Sequence, residues 1–100
     1  MSHAIGKYEL FYTSKFKRKL KRLVKRNLNL ISEVREVLQQ LAINPKYPSL
    51  NSHKVKTVDG IIAWSSRISG DLRIIWREDG KALLIVLLDI GGHSGSKKVY

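Results

Sequence analysis

One hundred residues are the usual size of one domain, enough for a single hydrophobic core and too few for two. An apolar share of 43% against 27% charged residues is that of a folded chain, and the absence of cysteine excludes a disulfide framework, a thiolate nucleophile and a cysteine-based zinc site. Nineteen Lys and Arg against eight Asp and Glu leave a formal charge of +11, which favours a polyanion such as nucleic acid, or an acidic masking protein, as partner and by itself assigns no chemistry.

Tyr8-Glu9-Leu10-Phe11-Tyr12-Thr13 is rich in strand formers and precedes Ser14, a good N-cap, so a short first strand and then a helix are predicted. Phe16, Leu20, Leu23 and Val24 place one apolar stripe on a helix from about Lys15 to Lys25. Eight Lys and Arg between Lys15 and Arg26 fill the rest of its circumference with no acidic residue among them, so this helix repels itself unless something anionic lies near it. Asn27 to Asn29 breaks the pattern. Leu30, Ile31, Val34, Val37, Leu38 and Leu41 then mark a second helix running to about Ile43, and the short link predicts an antiparallel hairpin.

Asn44-Pro45 ends that helix, and Pro45 to Ser52 reads as a loop. Ile61 to Ile68, Leu72 to Arg77 and Ala82 to Ile90 read as strands, joined by the turn sequences Ser69-Gly70-Asp71 and Glu78-Asp79-Gly80. Leu83 to Leu88 is apolar throughout, the mark of a strand covered on both faces. The order predicts an α+β fold: an N-terminal strand and an antiparallel helix hairpin packed on one face of a small, twisted, mainly antiparallel sheet, whose other face is free for a ligand. Residues 1–100 are expected to form a single domain, with 1–7 disordered and 94–100 a flexible tail. No segment has the ~20 apolar residues of a membrane helix, and the N-terminus lacks the apolar run of a secretory signal, so a cytoplasmic protein is expected.

Arg67 and Arg73 stand six residues apart across a short turn, so on paired strands their guanidiniums can converge on one face and hold a phosphate. The alternative is that they pair with Asp71 or Glu78 on the sheet surface. His93, in a glycine-rich turn after the last strand, can exchange a proton near neutral pH or can be an idle surface residue. His53 is open to the same two readings. Lys54 and Lys56 can contact phosphates, or be solvated lysines. Tyr100 can stack on a base, whereas Trp64 and Trp76, within strands, fit the core better. Asp89 reads as a turn cap. No metal-ligand spacing, P-loop or nucleophile elbow is present, and no metal or other cofactor is expected.

The run Ala63-Trp64-Ser65-Ser66-Arg67-Ile68-Ser69-Gly70-Asp71-Leu72-Arg73-Ile74-Ile75-Trp76 resembles the RelE/ParE superfamily of toxin endoribonucleases from type II toxin-antitoxin systems, whose members carry a Trp-Ser-x-Arg-(Ile/Val) strand, a tight polar turn and an Arg-led strand. The resemblance extends to His53-Lys54-Val55 and to Leu88-Asp89-Ile90-Gly91-Gly92-His93 and covers roughly the last half of the chain. It implies metal-independent cleavage of messenger RNA, often on the ribosome, in which the ribose 2′-hydroxyl attacks the adjacent phosphate. Arg67 and Arg73 would then stabilise charge, His53 and His93 would move protons, and Lys54, Lys56 and Tyr100 would hold substrate. A cognate antitoxin is the implied protein partner. Relatives often place an aromatic about four residues after the histidine, whereas six residues separate His93 from Tyr100 here, and the glutamate some relatives use as base has no clear counterpart. Two other functions compete: a ParE-like toxin that binds DNA gyrase without cutting nucleic acid, and a catalytically silent basic module that binds RNA or DNA.

Overall fold

The computed structural model describes residues 7–92 and 99. A first strand, β1 (Glu9–Tyr12), leads into helix α1 (Ser14–Arg26). Its N-cap is Thr13, one residue before the Ser14 expected: the Thr13 Oγ1 accepts from the Phe16 N–H at 3.2 Å and donates to the Leu87 carbonyl at 2.6 Å. One hydroxyl thus caps the helix and ties it to the sheet. Phe16 of α1 is fully buried, and Leu20 and Leu23 pack beside it. Helix α2 (Leu30–Ile43) buries Leu30, Val34, Leu38 and Leu41, the inner part of the predicted stripe, while Ile31 stays exposed. Asn44 and Pro45 end it as expected.

A short 3-10 turn at Pro48–Leu50 follows, with Leu50 buried beneath it. The chain then forms β2 (His53–Lys56), β3 (Ile62–Ser69), β4 (Leu72–Asp79) and β5 (Leu84–Gly91). β2 escapes sequence reading because its four residues offer one apolar side chain, Val55, and too few positions for an alternation to register. β5 starts two residues later than expected, because Leu83 has a positive φ of 51° and belongs to the turn.

The five strands lie in the order β1-β5-β4-β3-β2, with β1 parallel to β5 and every other pair antiparallel. The two helices pack on one face of this mixed sheet, where Ile74, Trp76, Ile85, Leu87 and Ile90 meet Phe16 and the α2 stripe. The opposite face was expected to be free. Instead Val99, 1% exposed, lies over its centre with Val55, Ala63, Ile75 and Leu88. Val99 is tied down on both sides: its N–H donates to the Gly92 carbonyl at 2.8 Å, and its carbonyl accepts from the Val58 N–H at 3.3 Å. β5 is apolar at alternate and intervening positions for this reason, Leu87 facing the helices and Leu88 the second cluster.

Candidate functional site

The β3–β4 hairpin turns at Gly70, whose φ of 52° lies in the left-handed region that glycine adopts without a side-chain clash. Ser69 pairs with Leu72 at its mouth, and a regular ladder from that pair would set Arg67 opposite Ile74, leaving the two arginines on opposite faces. A bulge at Ile68 shifts the register by one, and Arg67 stands directly opposite Arg73. The two side chains therefore leave the same face from backbones about 5 Å apart.

That face is the one away from the helices. His53 pairs with Ser65, and Ser65 with Ile75, so the imidazole, the Ser65 hydroxyl and the arginine pair occupy adjacent rows of one surface. His53 Nδ1 lies 3.4 Å from the Asn51 carbonyl. Lys54 and Lys56 pair with Trp64 and Ile62 and so project to the other face; the structure does not bring them to the arginines. His93 and Tyr100 lie outside the described residues.

Two polar atoms stand out on the arginine side. Arg73 Nε and Ser65 Oγ are both buried and have no hydrogen-bond partner among the described residues. Neither arginine joins a salt bridge among the described residues. Glu78, one of the two carboxylates that could have neutralised them, accepts instead from the Tyr8 hydroxyl at 2.7 Å, and that bond, with burial and the carboxylate's charge, raises the Tyr8 pKa. Two like charges placed opposite each other on a sheet repel, and a buried donor without an acceptor costs ~1–3 kcal/mol. Both costs fall if an anion sits against the pair.

Asp89 is a residue whose role the sequence did not disclose. Rather than capping a turn, it is 6% exposed and receives Lys19 Nζ at 2.6 Å and Lys15 Nζ at 3.2 Å. β1 ends opposite Leu87, so the remainder of β5 has no strand beside it there, and the first turns of α1 take that place. Asp89 is thus the anion that the basic helix lacks in its own sequence. Lys15 also reaches Asp59 at 3.3 Å; burial alone would lower its pKa, but the bonds and charges of Asp89 and Asp59 hold it above the ordinary value. Farther along α1, Lys19, Arg22 and Arg26 rim a cavity of about 110 Å³ lined by Leu23, Leu72, Ile90 and Gly91. This cationic rim lies on the helix side of the sheet, separate from the face that carries the arginine pair. Trp76 is buried, its indole N–H donating to Ser66 Oγ at 2.8 Å, while Trp64 stacks on it at 5.9 Å and remains half-buried.

No protein-family model matches the sequence, and no curated protein is similar to it by sequence. Solved structures do match its fold. The YoeB/ParE toxin from Agrobacterium tumefaciens superposes with a TM-score of 0.71 over 86% of this chain and 99% of its own, at 15% identity. The YafQ–DinJ toxin-antitoxin complex of E. coli matches with a TM-score of 0.68 at 14% identity, covering 87% of this chain and 93% of that one. The archaeal RelE–RelB complex from Pyrococcus horikoshii matches at 0.63 and 19% identity, over 90% and 99%. The chain shares its fold with these toxin structures.

Proposed function

We propose that this RelE/ParE-fold protein is the toxin of a type II toxin-antitoxin pair and an endoribonuclease that cuts messenger RNA, on the ribosome, without a metal. The observation that carries the reading is the Arg67–Arg73 pair: two guanidiniums brought to one face by a bulge, with no acidic partner among the described residues and with Arg73 Nε buried and unpaired. A scissile phosphodiester meets both needs, since a rigid fork of N–H donors fits its oxygens and its negative charge grows as the phosphorane forms.

In the reaction, the ribose 2′-oxygen bonds to phosphorus and the bond from phosphorus to the 5′-oxygen breaks, leaving a 2′,3′-cyclic phosphate and a 5′-hydroxyl. A base takes the 2′-hydroxyl proton and an acid delivers one to the departing oxygen. His53 is one row from the arginines and is assigned to proton transfer together with His93. Arg67 and Arg73 stabilise the phosphorane, and the Ser65 hydroxyl is a further donor on the same surface. The basic face of α1 suits ribosomal RNA. Solved relatives in complex with DinJ and RelB support an antitoxin partner for this chain as well.

The test is to add purified protein to translating ribosomes, with and without chelator, and map the message ends. Cuts bearing 5′-hydroxyls are expected to survive chelator and to fall by more than about 100-fold in Arg73→Ala; Arg73→Lys restores little, because lysine lacks the planar fork. Intact messages together with inhibited DNA gyrase would instead identify a ParE-like binder, and failure of both activities a silent nucleic-acid module.

A further inference from the structure

Lys54, separated from the arginines by the sheet, opens onto a second built feature. The segment from Pro45 to Ser52 arches beside the Trp64–Trp76 stack and encloses a cavity of about 210 Å³, which adjoins another of about 260 Å³ across Trp64. Each is smaller than a drug-sized site, a scale that suits one flat ring. The wall is tightly tied. Asn44 Oδ1 accepts from the Lys46 N–H at 3.0 Å, the Ser52 hydroxyl reaches the Pro45 carbonyl at 3.3 Å and Ser66 Oγ at 2.6 Å, and Asn51 is held at a positive φ of 47°. Asparagine adopts this left-handed conformation readily, and here it caps the 3-10 turn, its N–H donating to the Pro48 carbonyl.

The chemistry of the lining is that of nucleotide recognition. Tyr47 is 44% exposed beside the cavity, and Trp64 is backed on one side by Trp76. Lys54 Nζ lies over the Trp64 ring, 5.8 Å from its centre, and lines the adjoining cavity, while Lys46 lines the first. We infer that this cleft is a second nucleotide site, in which an unpaired base of single-stranded RNA stacks against Tyr47 and takes the place of Lys54 over the Trp64 ring, while Lys46 and the displaced Lys54 meet its flanking phosphates.

Glu78, also in the lining and already accepting from Tyr8, keeps phosphate away from the floor and presents its carboxylate to a base amino group. His53 and Lys54 are neighbours on edge strand β2 and face opposite sides, so a strand of RNA bent around that edge touches the arginine face and this cleft together. The same arrangement gives Lys54 a substrate role that its distance from the arginines otherwise denies it. A proline-rich peptide is the competing occupant of an aromatic cleft, but the charge of +11 and the paired lysines favour a polyanion. The inference rests on the proposal that the protein takes single-stranded RNA as substrate.

The probe is a short single-stranded RNA with every 2′-hydroxyl methylated, which cannot be cut, followed by tryptophan emission and by a direct binding assay. Binding is expected to quench the emission. Tyr47→Ala should weaken it about tenfold with an unchanged circular dichroism spectrum, and Lys54→Ala should lower the salt dependence by about one phosphate contact. Trp64→Phe should lose the quench, because Trp76 is buried, and should weaken binding in the direct assay, because the stacking face is smaller. Unquenched binding, an unaltered affinity in Tyr47→Ala, or quenching by a proline-rich peptide and not by RNA overturns the site. Cutting of unmodified RNA with unaltered affinity in Tyr47→Ala removes this cleft and leaves the nuclease reading standing. Binding at Tyr47 without cutting supports the cleft and removes the nuclease.

Discussion

Ser65 and Asp89 show how much a single residue's role depends on what folds against it. The Ser65 hydroxyl is fully buried and unpaired, so Ser65→Ala removes a desolvated donor and should stabilise the free protein by about 0.5–1 kcal/mol in urea unfolding. The same variant should bind RNA more weakly if that hydroxyl serves the phosphate, a stability gain and an affinity loss that a merely structural serine would not combine. Asp89→Asn should act in the other direction. It leaves Lys19 without its carboxylate and Lys15 with Asp59 alone in a helix already crowded with cations, but the lysine side chains are 23% and 41% exposed and solvent screens them. A loss of about 1–2 kcal/mol, visible as a lowered urea midpoint, is expected, short of the 3–5 kcal/mol for a fully buried pair. Neither residue is distinctive in sequence. Arg67 and Arg73 were, because their spacing across a turn is a local property, yet Ser65 is one of several serines and becomes special only by its row on the sheet.

Among the elements, the β3–β4 hairpin carries the arginine pair of the candidate site. Gly70 holds a left-handed conformation with open space where a Cβ would go, so Gly70→Ala meets backbone strain and no steric block. It should cost about 1 kcal/mol and, by loosening the turn that fixes the register, lower the proposed RNA cleavage more than a surface substitution of equal stability cost. Thermal unfolding and cleavage rates measured on the same preparation check both. The bulge at Ile68 is the companion feature: hydrophobic alternation marks β3 and β4 in the sequence, but nothing in their composition reveals a one-residue register shift. β2 is the converse, a strand by virtue of the edge of β3 on which it pairs and not by its own four residues. Helices α1 and α2 were legible nearly to the residue because a 3.6-residue stripe is written in the chain itself.

For the molecule as a whole, stability should fall on the alkaline side. The pKa values of Lys15, Tyr8 and Tyr12 are all raised in the folded protein, by partner carboxylates for Lys15, by the Glu78 bond for Tyr8 and by burial for Tyr12. A group whose pKa rises on folding contributes fully below its unfolded value and loses that contribution as pH climbs through the folded one. The urea midpoint should therefore decline from about pH 10 upward, and Lys15→Met should flatten part of the decline while lowering the plateau. The net charge, the α+β order, both helix stripes and the arginine motif were fixed by the sequence alone, since composition and short-range periodicity need no partner to be read. Tertiary structure alone decided that Val99 packs on the far face, that Asp89 pairs with Lys15 and Lys19 of the basic helix, and that Arg67 and Arg73 share a surface while Lys54 and Lys56 face away. Each of those depends on strand register or on contact between segments far apart in the chain, and a register is set jointly by two strands, so neither strand's sequence contains it.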